Sequence, residues 1–341
     1  MASAEPALPG QHALTADALL AGPRGRSLCV NLLDDRLTAP GGRVRPAAGL
    51  PGTPLGGSAL LAGLVAAVDL SSYWRKPEPE DQGFADEAAR AALRPVAEAV
   101  ASAAAGLPGV RWWTEPIDSS RQRYTQFLDR DRLPEPLLTG AAEFTAAWLA
   151  DTRDDEQSAH DRPEDPAAPY GGQWWSTPTP SRLTVTTRGL SALGAVGLAL
   201  VEDGLGWQSA RCWPVVPEDG ARVYEIGGPG QWAELVNRYP LDVSKSRRHD
   251  WWQATGWAGR WLIPDYAAVA TDWDGVHVSV AGYLTTAGIA IPAAGGSRTM
   301  LAGWDPDATW WLNDVLSFAG PSEDWREDDQ APFGWIQARQ R

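Results

Sequence analysis

Five short segments hold the residues best suited to chemistry. They are Arg123-Tyr124-Thr125, Gly171-Gly172-Gln173-Trp174-Trp175-Ser176-Thr177, Arg222-Val223-Tyr224-Glu225-Ile226, Trp273-Asp274-Gly275-Val276-His277-Val278 and Gly303-Trp304-Asp305. A double glycine running into aromatics lets a backbone come close to another group. An indole offers a flat stacking face for a sugar, a nicotinamide or a base, or simply fills a core. A neutral imidazole hydrogen-bonds a hydroxyl, but brings no negative charge. Ser244 to Asp250 (SKSRRHD) is a basic stretch that reads either as a structural arginine cluster or as an anion site, arginine being suited to bidentate phosphate contact.

Other chemistries lack their signatures. There is no P-loop, no glycine fingerprint of a dinucleotide fold and no nucleophile elbow. The four histidines, His12, His160, His249 and His277, are scattered, and Cys29 and Cys212 stand far apart, so no metal is expected. Two cysteines in a long chain suit a reducing compartment. The net charge of −14 argues against a nucleic-acid backbone or an anionic membrane as partner, and also serves solubility. The N-terminus lacks the pattern of a signal peptide and Ala59 to Leu70 is too short to span a bilayer, so the expected location is the cytoplasm.

The order of the five segments resembles a widespread, poorly characterised group of bacterial and phage proteins. That group carries an H-Y-T-like strand, a GGLW(T/A)S segment, a YDG-I-x-(I/V) strand and a late GWD strand. The likeness runs from Arg123 to Asn313. The group in turn resembles ADP-ribosyltransferase-like folds, split β-sandwiches that clamp NAD. The resemblance implies that Arg123, with Tyr124 beside it, holds NAD. Ser176 and Thr177 would form the pocket strand, Trp174 or Trp175 the stacking ring, and Tyr224 part of the lining. A glutamate is expected on the later strand, where this chain has His277. Glu225 or Asp274 is then the substitute acid for an oxocarbenium-like step. Catalytic candidates are therefore His277 and Glu225, with NAD as co-substrate. The alternatives are a non-catalytic nucleotide-binding module and a protein-interaction module whose partner is another protein.

The elements that must position these residues read as an α+β fold. A mixed or mainly antiparallel sheet is expected over 110–320, with a helical portion at 26–109, a flexible arm at 1–25 and a charged tail at 321–341. Ser58 to Leu70 and Phe84 to Ala105 read as helices, with Pro95 kinking the second or dividing it. Ser27 to Leu33 reads as a short buried strand, and Lys76 to Gln82 as an exposed linker. Val110 to Trp113, Arg123 to Phe127, Leu183 to Thr187, Ala221 to Ile226, Val276 to Val280, Met300 to Trp304 and Thr309 to Leu312 read as strands. Ala141 to Ala150 reads as a helix followed by a polar loop from Asp151 to Pro169. Gln231 to Tyr239 is a helix, and another is expected to start at Ile263-Pro264-Asp265. Of the nineteen tryptophans all but Trp74 follow position 110, several in pairs. On a strand such a pair sends its rings to opposite faces.

Overall fold

The computed structural model describes residues 14–33, 55–69, 71, 73–77, 84–128, 137–178, 182–191, 193–202, 204, 206–328, 330–331 and 333–338. Most of the linker expected at Lys76 to Gln82 and residues 1–13 of the expected arm lie outside them.

Among the described residues the fold opens with α1 (Ala16–Ala21), α2 (Pro23–Asn31), α3 (Gly57–Asp69) and α4 (Glu87–Gly106). Thr15 and Asp86 cap α1 and α4 by accepting the backbone N–H of Ala18 and Ala89. The apolar spacing along α4 buries Leu93, Val96, Val100 and Ala104 on one face, and Pro95 sits inside the helix without ending it. Ser27 to Leu33, expected as a strand, lies mostly in α2. Pro23 occupies its first turn, where the missing N–H costs nothing, and Leu28 and Cys29 fill the helix interface. The expected arm at 1–25 is also helical from residue 16, with Leu19 and Leu20 buried.

The main sheet runs in the order β14 (Trp335–Gln337), β13 (Glu323–Glu327), β4 (Ser209–Pro217), β1 (Gln122–Phe127), β2 (Val185–Leu190), β11 (Ala308–Trp311), β8 (Gly275–Val278), β5 (Val223–Ile226). The strand β12 (Leu316–Phe318) adds to β4 and β3 (Gly194–Ala195) to β2. Every pairing is antiparallel except β5 with β8. The α+β expectation with a mainly antiparallel sheet is what the chain adopts. Two small antiparallel pairs, β6 (Pro240–Asp242) with β7 (Leu262–Pro264) and β9 (Ile291–Pro292) with β10 (Arg298–Thr299), stand outside it.

The described residues continue with the helices α5 (Ala141–Ser158), α6 (Pro229–Arg238), α7 (Arg248–Thr255), α8 (Tyr266–Asp272) and α9 (Val280–Thr286). All seven residues of α9 are buried, and α1 and α2 pack against it. One apolar cluster joins Leu19, Leu28, Leu64 and Val100 of the helical portion to Ile226, Val278, Leu284 and Trp304. The helices and the sheet thus share a core. No helix among the described residues is long and apolar enough to cross a membrane.

Several expected boundaries move. Asp151 to Ser158 extend α5, so the expected loop begins only afterwards. Val110 to Trp113 form a 3-10 turn, not a strand, and bury both indoles. Pro264 ends β7, and the helix starts at Tyr266 with Asp265 as its cap. Met300 to Trp304 form no strand; the segment has one isolated bridge, Ala287 to Leu301. The expected charged tail supplies β13 and β14. On β11 the tryptophan pair behaves as expected: Trp310 packs on Trp304, and Trp311 donates from Nε1 to Thr186 on the other face.

Candidate functional site

The register of the sheet aligns one row of side chains across six strands. Glu225 pairs with His277, His277 with Thr309, Thr309 with Thr186, Thr186 with Tyr124, and Tyr124 with Trp213. Paired residues share a face, so the row passes from acid and imidazole through two hydroxyls to aromatics. His277 is 1% exposed. Its Nδ1 lies 2.6 Å from Glu225 Oε2, and its Nε2 faces Asp307 Oδ1 at 3.6 Å. Burial opposes a charge on this ring, but the carboxylates of Glu225 and Asp307 outweigh it and raise the imidazole to about 9. At neutral pH it is an imidazolium with both N–H groups turned to carboxylates, and has no lone pair to act as a base.

The row is one end of a longer ionic chain. Asp307 accepts the backbone N–H of Arg188 at 2.8 Å and its Nε at 3.3 Å. Arg188, 3% exposed, reaches Glu115 with Nη1 at 3.3 Å and donates from Nη2 to the Pro116 carbonyl at 2.8 Å. Glu225 accepts the Ile117 N–H through Oε1 at 2.9 Å. Charges alternate along Glu115, Arg188, Asp307, His277 and Glu225, and the chain fastens residues 115–117 over this end of the sheet. Both oxygens of Glu225 are thereby engaged.

Arg123 is one residue before Tyr124 and so points to the opposite face. It pairs with Thr187 and Pro214, donates from Nη1 to the Gln122 carbonyl, and lies against Gly189, where a Cβ would come within 3.1 Å of the guanidinium carbon. Tyr224 precedes Glu225 and likewise turns to that face, donating its hydroxyl to the Gln231 carbonyl at 2.9 Å. Arg123 and Tyr224 are separated by four strand steps, about 19 Å at the usual spacing.

Trp174 to Thr177 form a third place. The Ser176 hydroxyl is fully buried, accepts the Ala302 N–H at 2.9 Å and lies 3.2 Å from the Ala302 carbonyl. The Tyr266 hydroxyl donates to the Ser176 carbonyl at 3.1 Å. The carbonyls of Trp174 and Trp175 accept from Trp251 Nε1 and Arg247 Nε. The Trp174 ring is already occupied, stacked on Tyr73 at 5.6 Å and tilted against Trp74 at 4.7 Å. Thr177 and Trp175 press on Gly303, whose φ of 80° and lack of a Cβ allow that approach. The Gly172 N–H bonds to Asp250, so the close approach that the paired glycines allow is to the start of α7.

Arg247 of the basic stretch is fully buried and structural. Its guanidinium meets Asp155 at 3.2 Å and Gln173 at 3.0 Å, and burial lowers it to about 10, still protonated. Asp274 accepts the Arg222 N–H and the Asn313 amide, which holds a turn.

The structure therefore joins Glu225 with His277 and places Tyr124 in their row. It keeps Arg123 and Tyr224 on the other face, and Trp174, Trp175, Ser176 and Thr177 in a separate cluster. Asp307 and Arg188 were not singled out by sequence, since their role depends on register across β2, β11 and β8. Among the described residues no group of His, Cys, Asp and Glu could hold a metal ion. No protein-family model, curated protein or solved structure matches the chain.

Proposed function

We propose that this protein works by binding another protein and not by turning over NAD. The observation that carries the reading is the placement of Arg123 and His277 on opposite faces of one sheet, which leaves no shared cleft for the two ends of a dinucleotide. The sealed imidazolium supports it, because a ring enclosed by two carboxylates reaches no ribose. An apolar strip on the Tyr124 face supports a protein partner. Phe318 of β12 is 43% exposed and its ring lies 5.9 Å from that of Trp213 on the adjacent β4, whereas Val216, 38% exposed, turns to the opposite face. Exposed Glu218 and Asp219 follow β4 directly. With a net charge of −14, the complementary partner is a basic protein surface with an apolar centre.

The test has two arms. Incubation with NAD is expected to release no nicotinamide and to give no binding heat; release that is lost in Arg123→Ala and His277→Gln would restore the NAD reading. In the second arm, a basic partner cross-linked in the native cell is purified and titrated. Affinity should fall as salt rises and fall at least tenfold in Phe318→Asp. Binding indifferent to both would overturn the assignment of this strip.

A further inference from the structure

Residues Tyr73 to Pro77 form a strap across the Trp174 cluster. The Tyr73 ring stacks on Trp174 with an interplanar angle of 27°, Trp74 covers the same indole, and the Lys76 ammonium lies 5.7 Å from the Trp252 ring. The strap is tied down by Glu202. The Tyr73 hydroxyl donates to Glu202 Oε1, and the Tyr283 hydroxyl of α9 donates to the same oxygen at 2.8 Å. Ser71 lies 2.8 Å from the Tyr283 hydroxyl and accepts from Arg24 of α2 at 3.1 Å.

This tie suits a neutral carboxyl better than an ionised one. Glu202 Oε2 is buried without a hydrogen-bond partner. A second carboxylate adjoins it, since Asp305 Oδ1 accepts the Glu202 backbone N–H at 2.9 Å. Burial first, then Asp305, raises Glu202 to about 8, against the opposing pull of Tyr73, Tyr283 and Arg24. Among the described residues, the charged and titratable groups that face it are Arg24 from α2, Tyr73 from the strap, Tyr283 from α9 and Asp305 from the loop before β11.

We propose that Glu202 is a proton-operated latch on the strap Tyr73–Pro77, closed over Trp174 while the carboxyl is protonated and lifting when it ionises. The linkage follows from proton counting. An open strap admits water to Glu202 and returns it to an ordinary carboxylate value, so the open form binds fewer protons than the closed form. Between the ordinary carboxyl value of 4.5 and about 8, each pH unit then favours opening by about tenfold; above that the two forms bind protons equally and the effect levels off. Opening uncovers the flat apolar face of Trp174.

Hydrogen exchange of the strap amides in the full chain, corrected for the intrinsic rate at each pH, tests this. Protection is expected to fall about tenfold per unit from pH 5 to 8 and then to plateau. Glu202→Gln retains an acceptor for both tyrosines and should abolish the slope. Asp305→Asn removes the adjoining carboxylate and should move the plateau to lower pH, which keeps the idea testable if the glutamine variant does not fold. A flat wild-type profile would overturn the latch, as would an unchanged slope in Glu202→Gln or an unmoved plateau in Asp305→Asn.

Discussion

Asp307 has a φ of 58°, the one positive value on a non-glycine residue among the described residues. The left-handed conformation costs an L-residue roughly 1–2 kcal/mol, and aspartate is among the few that adopt it. At this position the carboxylate serves Arg188 and His277 together. Removing one member of a buried ionic set leaves the others uncompensated, at a cost of about 3–5 kcal/mol. Asp307→Ala should therefore lose stability on that scale in urea denaturation, and Asp307→Asn less, because asparagine keeps the conformation and an acceptor. A loss under about 1 kcal/mol in Asp307→Ala would show that the chain of charges contributes little. The same scale explains what the sequence left hidden at the site. Arg123 and Tyr124 are neighbours in one segment, yet the twofold alternation of a strand sends one toward the His277 face and the other away. Segment order is readable in sequence; parity relative to a distant strand is set only when β1, β2, β11 and β8 find their register.

Among elements, legibility followed the apolar pattern and failed where burial was one-sided or imposed from outside. The Ala-rich α4 and the alternating β5 carry their periodicities openly. Ser27 to Leu33 is a short apolar run, which periodicity alone cannot assign, and packing against α1 and α3 makes it helical. The strand β13 reads Glu-Asp-Trp-Arg-Glu because it lies near the edge of the sheet with Asp324, Arg326 and Glu327 exposed, so its charges hid a pairing with β4. The Gly303 to Asp307 loop shows why the late motif matters in this chain: Gly303 receives Trp175 and Thr177, Asp305 receives Glu202, and Asp307 receives Arg188. Gly303→Ala should cost more than Gly296→Ala. Both have positive φ, but a Cβ at Gly303 meets Trp175 at 3.3 Å, whereas at Gly296 nothing lies within 4 Å. The conformational part is roughly 1–2 kcal/mol for each, and any excess at Gly303 measures the packing of the loop on the tryptophan pair. Equal losses in thermal or urea unfolding would mean that the pair gives way freely.

Across the whole molecule the raised groups act in one direction. His277 is ordinarily near 6.5 and stands at about 9 in the fold, so its contribution is complete below 6.5 and is lost as pH rises through 9. Glu202 behaves alike, with a contribution complete below 4.5 and lost as pH rises through 8. Cys29 and Cys212, pushed by burial from 9 to about 12, continue the trend into alkali. Asp242 and Asp272 oppose it only in acid, because their lowered values make stability fall as pH drops through the carboxylate range. His249, lowered chiefly by burial, adds a smaller loss as pH falls below 6.5. The expected profile therefore declines steadily from about pH 6 to pH 9, an acidic optimum in keeping with a chain of net charge −14 that gains further self-repulsion as its protons leave. Urea midpoints at pH 6, 7, 8 and 9 read this directly. Glu202→Gln should make the decline below pH 8 shallower, leaving there the loss from His277 alone, and should leave the loss between 8 and 9 unchanged, where His277 gives up its proton while Glu225 and Asp307 remain charged on either side of it. A midpoint that stays level between pH 8 and 9 would mean that the ring is already neutral in the fold, and Glu225, His277 and Asp307 would then be read as a hydrogen-bonded set awaiting a proton.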